Sequence, residues 1–266
     1  MFDNCANIKD AVRHPGCAAL IKASTLGVSR ILVMGILYIV STPIGNLQDI
    51  SYRAVKTLFS VDVIACEDTR RMGTFLQQIN VTSEENTVFQ RPRLLSYFEY
   101  NELRRIPEIL NMLIDGKNVA LVSDAGTPAV SDPGFKLIRT CVENNIKIEA
   151  IPGASSVMAA LVVSGLPTDK FLFIGYLPHK ESHARRTLEN LNGISALMKT
   201  TIILFEAPHK IIKTLQIMKD VLEDKDIVVC RELTKIHEET IRGKISAVQE
   251  HFQTKSPKGE MVILFR

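Results

Sequence analysis

The sequence predicts an α/β protein: two α/β domains in series, with mainly parallel sheets and the active site in the interdomain cleft. Three observations predict this. From Ile36 onward, short β-branched runs alternate with stretches of helical apolar spacing, the pattern of strands joined by crossover helices. The alternation breaks at Pro152-Gly153 and restarts near Phe171, as expected at a boundary between two units. Finally, the apolar run Val119-Ala120-Leu121-Val122 gives way to SDAGTPAVSDPG, a loop much longer than a βα connection requires.

Taken in order, residues 36–42 read as a strand, 50–60 as a helix, 61–66 as a strand and 69–78 as a helix. A short strand follows at 94–98. The helix predicted over 101–115 stops at Gly116, which favours a helix C-terminus. Strand 118–122, the long loop, helix 135–144 and strand 146–151 complete the first unit. After Pro152-Gly153 a helix over 155–163 leads to Gly165-Leu166-Pro167. The second unit reads as strand 171–176, a charged helix near 182–191, strand 201–205, helix 209–222 and strand 227–231. It closes with extended residues 239–241, helix 246–252 and strand 261–265. The expected division is an appendage over 1–33, an N-terminal α/β domain over 34–152 and a C-terminal one over 153–266. Residues 1–33 show no clean periodicity and contain the break His14-Pro15-Gly16, whereas Met34 opens a clear pattern and would suit a translation start. A targeting segment is the alternative for this stretch, although a cleavable signal peptide presents its charges and apolar core nearer the terminus.

Composition narrows the function. With 46% hydrophobic residues in 266, the chain can bury substantial cores. A net charge of +3 is too small for a surface that coats nucleic acid, so contact with a polyanion must come from local clusters. Candidates are Arg70-Arg71, Arg91 with Arg93, Arg104-Arg105, and Arg185-Arg186 near Lys180, each of which also suits a solvated helix face. The five cysteines are odd in number and form no C-x-x-C, which excludes a disulfide framework or zinc-finger spacing and suggests a reducing, cytoplasmic setting. Cys66 and Cys230 sit in apolar runs and read as core residues. No apolar run is long enough to span a bilayer, so the expectation is a soluble protein.

Parallel strands present ligands at their carboxyl ends, so the loops after them are the places to look for chemistry. After the first strand comes Ser41-Thr42-Pro43-Ile44-Gly45-Asn46, and after the second Glu67-Asp68-Thr69-Arg70. After the fourth comes the long loop, with Asp124 and Asp132. Its Gly126 and Gly134 permit close backbone approach to a ligand, while Pro128 and Pro133 fix φ and remove N–H donors. Pro152-Gly153-Ala154-Ser155-Ser156 adds hydroxyls and unpaired N–H groups at a helix start. Glu67-Asp68 suits a catalytic role and a helix cap equally. Neither G-x-G-x-x-G, nor a P-loop, nor a G-x-S-x-G elbow occurs. His179 and His183 have ligand spacing, but no third ligand lies near them in sequence, and no metal is expected.

These segments carry a resemblance. LYIVSTPIGNL over 37–47, CEDTR over 66–70, VSDAGTP over 122–128, DPG over 132–134 and FEAPHK over 205–210 are similar to motifs of the tetrapyrrole-methylase superfamily, and within it of its ribosomal branch. The likeness runs in one consistent order from about Met34 to the C-terminus, and an ordered set is far more specific than any single motif. It implies a homodimeric two-domain enzyme that binds S-adenosylmethionine in the interdomain cleft. The implied reaction is methylation of the ribose 2′-hydroxyl of a cytidine in the decoding region of 16S rRNA, free or in the 30S subunit, with no membrane or DNA partner. Matched to the family's motifs, the cofactor residues are Pro43 and Gly45 in the first loop and Asp124, Ala125, Gly126, Thr127 and Pro128 in the fourth. Ser155 and Ser156 in the linker, with Ala207 and Met261 in the second unit, complete the set.

The chain departs from the family pattern in three places. Tyr100-Asn101-Glu102 stands where relatives usually carry His before Asn-Glu, which removes the obvious imidazole base. The linker reads Pro-Gly-Ala-Ser where Pro-Gly-Pro-Ser is commoner. Arg266 follows directly on the last strand, where many relatives continue into a helical tail.

Methyl transfer from a sulfonium is an in-line displacement in which positioning supplies most of the acceleration, and a protonated hydroxyl needs a proton acceptor. Asp68 and Glu102 are the candidate acceptors. Arg70 would orient phosphate or carboxylate groups through its planar fork. Methylation of a tetrapyrrole carbon, or an RNA-binding relative without catalysis, are the competing readings.

Overall fold

In the computed structural model, residues 33–81, 91–254 and 258–266 are described. The predicted appendage therefore lies, except for Val33, outside the described residues. The first five strands, β1 (Leu37–Val40), β2 (Val63–Cys66), β3 (Arg93–Ser96), β4 (Val119–Val122) and β5 (Ile148–Ile151), form one sheet. Its order is β3-β2-β4-β1-β5, and all four pairings are parallel. Helices α1 (Tyr52–Ser60), α2 (Thr69–Val81), α3 (Glu102–Ile114) and α4 (Phe135–Glu143) connect these strands.

Strand alternation decides which helix packs where. Val63, Ala65, Val119 and Leu121 point to the face covered by Ile109 and Leu113 of α3 and Leu137 of α4. Ile64, Cys66, Ala120 and Val122 point to the other face, against Leu58 of α1 and Met72 of α2. Because β1 and β4 are neighbours whose following helices lie on opposite faces, their carboxyl ends open a crevice between them.

The second sheet contains β6 (Phe171–Tyr176), β7 (Thr201–Glu206), β8 (Asp226–Arg231), β9 (Glu239–Lys244) and β10 (Met261–Phe265), in the order β6-β7-β10-β8-β9. Mainly parallel pairing holds for the first sheet but must be corrected for the second. Only β6 and β7 are parallel, whereas β10 runs antiparallel to β7 and β8, and β9 antiparallel to β8. The cause is local. No helix separates β8 from β9, so the chain turns straight back, as an antiparallel pair allows and a parallel one does not.

Helix α5 (Ser156–Ser164) packs Val157, Ala160 and Leu161 on one face of this sheet, beside Ile203, Val228 and Val262. The other face is covered by α6 (Glu181–Met198), α7 (Ile211–Leu222) and α8 (Ile245–Thr254). Helix α6 runs well past the predicted end at 191, straight through Gly193. A glycine in an exposed helix interior costs about 1 kcal/mol, which the burial of Leu188, Leu191 and Ser195 outweighs.

Candidate active site

The carboxyl ends of β1 and β4 are stapled together. Thr42 and Gly126 exchange backbone hydrogen bonds, the Thr42 N–H donating at 2.9 Å and the Gly126 N–H at 3.2 Å. Beside them the hydroxyls of Ser41 and Thr127 lie 2.9 Å apart. Gly126 adopts φ +77°, a left-handed conformation that glycine takes without strain. Further along the same loop Ala129 and Ser131 also have left-handed φ, at 67° and 61°, where a side chain is costly. Such residues persist only where surrounding structure over-determines them, and they concentrate at ligand sites.

The rest of the molecule holds this loop from several sides. Glu102, buried on α3, accepts hydrogen bonds from the Tyr97 hydroxyl at 2.8 Å and the Gly134 N–H at 3.2 Å, and pairs with Lys136 at 3.0 Å. Burial alone would raise its pKa, but the Lys136, Tyr97 and Gly134 bonds overcome that and leave it lowered. From β6, a left-handed Gly175 at a bulge lets the strand pass so close that a Cβ there would stand 3.0 Å from Ser131 Oγ. On the first loop, Gly45 lies against Thr234 and Lys235, and the Asn46 N–H donates to Thr234 Oγ1 at 3.1 Å. A Cβ on Gly153 would come 3.0 Å from Ser41 Cβ, so the linker closes tightly on the end of β1.

These contacts enclose a pocket between the two sheets. Ile44, Ala125, Gly126, Thr127 and Asp132 line it from the first half, Ser155 and Ser156 from the start of α5, and Tyr176, Phe205 and Met261 from the second sheet. Of the predicted cofactor residues, Ala125, Gly126, Thr127, Ser155, Ser156 and Met261 therefore come together on its wall. Pro43, Gly45, Asp124, Pro128 and Ala207 lie outside the lining set. Gly45 faces Thr234 and Lys235, Asp124 faces α2, and the Ala207 N–H donates to Glu206 at 2.7 Å.

The predicted catalytic residues fall elsewhere. Asp68 caps α2, accepting from the Arg70 N–H at 2.8 Å, and that bond with the Arg70 side chain lowers its pKa. Arg70 itself is 92% exposed in its side chain. Both residues edge a shallow groove with Arg71, Thr74, Phe75 and Gln78. Glu102 is committed to the loop it supports, as described above.

The sequence placed Asp132 in the long loop without assigning it a role, and the fold sets it on the pocket wall. Burial first, and then the charges of Glu67, Asp124 and Glu260, raise the pKa of Asp132 to about 6 against a hydrogen bond from Ser123. Glu67 is raised too, first by burial and then by Asp124, with the Asp124 N–H working the other way. The closeness of Glu67, Asp124 and Glu260 to Asp132, where each negative charge opposes the others, makes a setting suited to a cation. Among the described residues no group of three or more His, Cys, Asp or Glu side chains could hold a metal ion, and no helix is long and apolar enough to cross a membrane.

Known proteins match this chain in sequence and in fold. Residues 36–249 match the family model for Tetrapyrrole (Corrin/Porphyrin) Methylases. The chain is 44% identical over 232 residues to the ribosomal RNA small subunit methyltransferase I of Synechocystis, covering 87% of this chain and 78% of that protein. It is 42% identical over 231 residues to the protein of the same name from Thermotoga maritima, covering 87% of this chain and 98% of that one. Among solved structures, a diphthine synthase superposes with a TM-score of 0.62 at 17% identity, covering 86% of this chain and 90% of the other. A uroporphyrin-III C-methyl transferase from Thermus thermophilus, complexed with S-adenyl homocysteine, gives 0.59 at 15% identity, covering 86% and 97%.

Proposed function

The chain belongs to the tetrapyrrole (corrin/porphyrin) methylase family, and from that membership we propose that it methylates a cytidine ribose 2′-hydroxyl in the decoding region of 16S rRNA, with S-adenosylmethionine as donor. One observation carries the choice of substrate: relatives 44% and 42% identical over 87% of this chain are named ribosomal RNA small subunit methyltransferase I. The pocket's chemistry supports the choice of donor. A sulfonium is a cation, and the carboxylates of Asp132 and Glu260 line the cavity, with the charge of Glu67 near Asp132. Ile44, Phe205 and Val262 supply apolar wall for an adenine ring, and the Ser155 and Ser156 hydroxyls supply polar contacts at a helix start.

S-adenosylmethionine brings the reactive methyl, so the protein's tasks are holding and orienting. The Thr42–Gly126 staple and the Ser41–Thr127 hydroxyl contact fix the two loops whose residues line the cavity. Tyr176 and Phe205, with ring centroids 5.7 Å apart, wall it from the second sheet and exclude water. The exposed guanidinium of Arg70 and the shallow groove along α2 suit phosphate contacts of an RNA strand approaching that rim. In the same reading residues 34–152 and 153–266 are the two domains, the enzyme is a cytoplasmic homodimer, and its substrate is 16S rRNA or the 30S subunit.

The test supplies methyl-labelled S-adenosylmethionine together with 30S subunits, protein-free 16S rRNA or a tetrapyrrole precursor. Label is expected in RNA. Label in the tetrapyrrole alone would overturn the reading, and binding of RNA without transfer would make the chain a non-catalytic relative.

A further inference from the structure

Among the described residues, the carboxylates near the pocket other than Asp132 are held by a cation, a helix start or a backbone N–H, whereas the hydrogen-bond partner of Asp132 is the Ser123 hydroxyl. Asp68 caps α2 and Glu102 is held by Tyr97, Gly134 and Lys136. Glu67 accepts the Asp124 N–H at 3.2 Å, and Asp124 pairs with Arg71 at 2.8 Å. Glu260 lines the cavity but is 73% exposed and pairs with Lys235 at 3.1 Å. Asp132 also lines the cavity, and among the described residues no Lys or Arg pairs with it. The residue before it, Ser131, is held in a left-handed conformation, and Pro133 and Gly134 follow, so the backbone carrying this carboxylate is set rather than free to swing.

We propose that Asp132 is the catalytic base of this site, the group that accepts the proton of the ribose hydroxyl during methyl transfer. The proposal rests on the function argued above. In the step, the 2′-oxygen bonds to the methyl carbon while the methyl–sulfur bond breaks with its electron pair on sulfur, and the hydroxyl proton passes to the Asp132 carboxylate. The products are a 2′-O-methyl ether, a neutral thioether and a protonated Asp132, so charge and atoms balance. Removal of the sulfonium charge as the carboxylate is neutralised keeps the buried site's net charge constant through the step.

The groups facing Asp132 are Glu67 from the end of β2, Ser123 and Asp124 from the end of β4, Tyr176 from β6 and Glu260 at the entry to β10. Burial and the three acidic neighbours hold its pKa at about 6, against the Ser123 hydrogen bond. That value leaves it ionised at neutral pH yet a stronger base than an ordinary carboxylate.

The experiment compares the parent with Asp132→Asn and Asp132→Glu. Single-turnover methylation of 30S subunits is followed from pH 5 to 8, and S-adenosylhomocysteine affinity is measured by calorimetry. That ligand has a neutral sulfur, so its binding reports an intact pocket independently of the Asp132 charge. The parent rate should climb about tenfold per pH unit below pH 6 and level off above it. Asp132→Asn should lose about a hundredfold or more and show no bend near pH 6, with thioether affinity held within about threefold, and Asp132→Glu should recover part of the rate. An Asn variant within about threefold of the parent, one that keeps the bend, or one whose affinity falls in step with its rate would overturn the proposal while leaving the function standing. A parent that transfers no methyl to RNA would overturn both.

Discussion

Arg71 reaches from α2 to the loop after β4, its Nη1 lying 2.8 Å from Oδ2 of Asp124. The Asp124 N–H in turn donates to Glu67, so the carboxyl ends of β2 and β4 are joined twice. This relationship moves weight from Arg70, which meets only its near neighbour Asp68, onto Arg71. Both guanidiniums are largely exposed, and an exposed ion pair contributes only ~0–1 kcal/mol to folding. Arg71→Ala should therefore melt close to the parent. If pre-ordering of the loop is worth about 1 kcal/mol, it should bind S-adenosylmethionine about fivefold more weakly. Arg70→Ala should leave that affinity unchanged and reduce the salt-sensitive part of RNA binding instead. Calorimetry on both variants and RNA binding over a salt series separate the two arginines.

Gly134 and Gly126 should respond differently to alanine. Gly126 has left-handed φ with ordinary space around its missing Cβ, the nearest atom being Ile44 Cγ2 at 3.5 Å, so strain of about 1 kcal/mol is the main cost. Gly134 has φ +140°, and a Cβ there would stand 2.7 Å from Leu121 Cδ2 in the core of the first sheet. Gly134→Ala should lower the urea midpoint clearly more than Gly126→Ala, whereas Gly126→Val, with a branched side chain at the pocket wall, should remove cofactor binding from a folded protein.

Glu102 ties acid stability to the pocket loop. Its folded-state pKa is lowered despite burial, through Lys136, Tyr97 and Gly134. A depressed carboxylate contributes stability that is complete above its unfolded value of about 4.3 and is lost as pH falls through the folded value. Glu102→Gln should cost ~1–3 kcal/mol at pH 7. The gap between variant and parent in urea unfolding should narrow as pH drops below about 4.3. A gap independent of pH would show that the charge of Glu102 is not what holds the loop.

The first sheet was legible because period-two alternation and helical spacing are local signals, and β2, α1 and β4 fall within a few residues of their expected bounds. The antiparallel pairing of β10 was not, since nothing in Met261–Phe265 records which neighbours it will pair with. The same distinction holds in the site. Gly126, Thr127, Ser155 and Ser156 stood in an unusual loop or at a helix start, and all line the pocket. Asp132 sits in a Ser-Asp-Pro-Gly string that reads locally as a turn; its importance comes from burial and from acidic neighbours just past the ends of β2 and β4 and just before β10, which only the fold brings together. Asp68 and Glu102 drew notice for their motifs, yet their hydrogen bonds go to a helix start and to the back of the loop.

The most direct test of the account is the chemical identity of the product. Ribosomal RNA from 30S subunits incubated with the protein and S-adenosylmethionine would be digested to nucleosides and resolved by mass spectrometry, with Gly126→Val as the control. 2′-O-methylcytidine is expected in an amount rising to one per subunit with the parent protein and absent with the variant. A methyl group on a nucleobase, or no new methylated nucleoside from a protein that binds the cofactor, would contradict it.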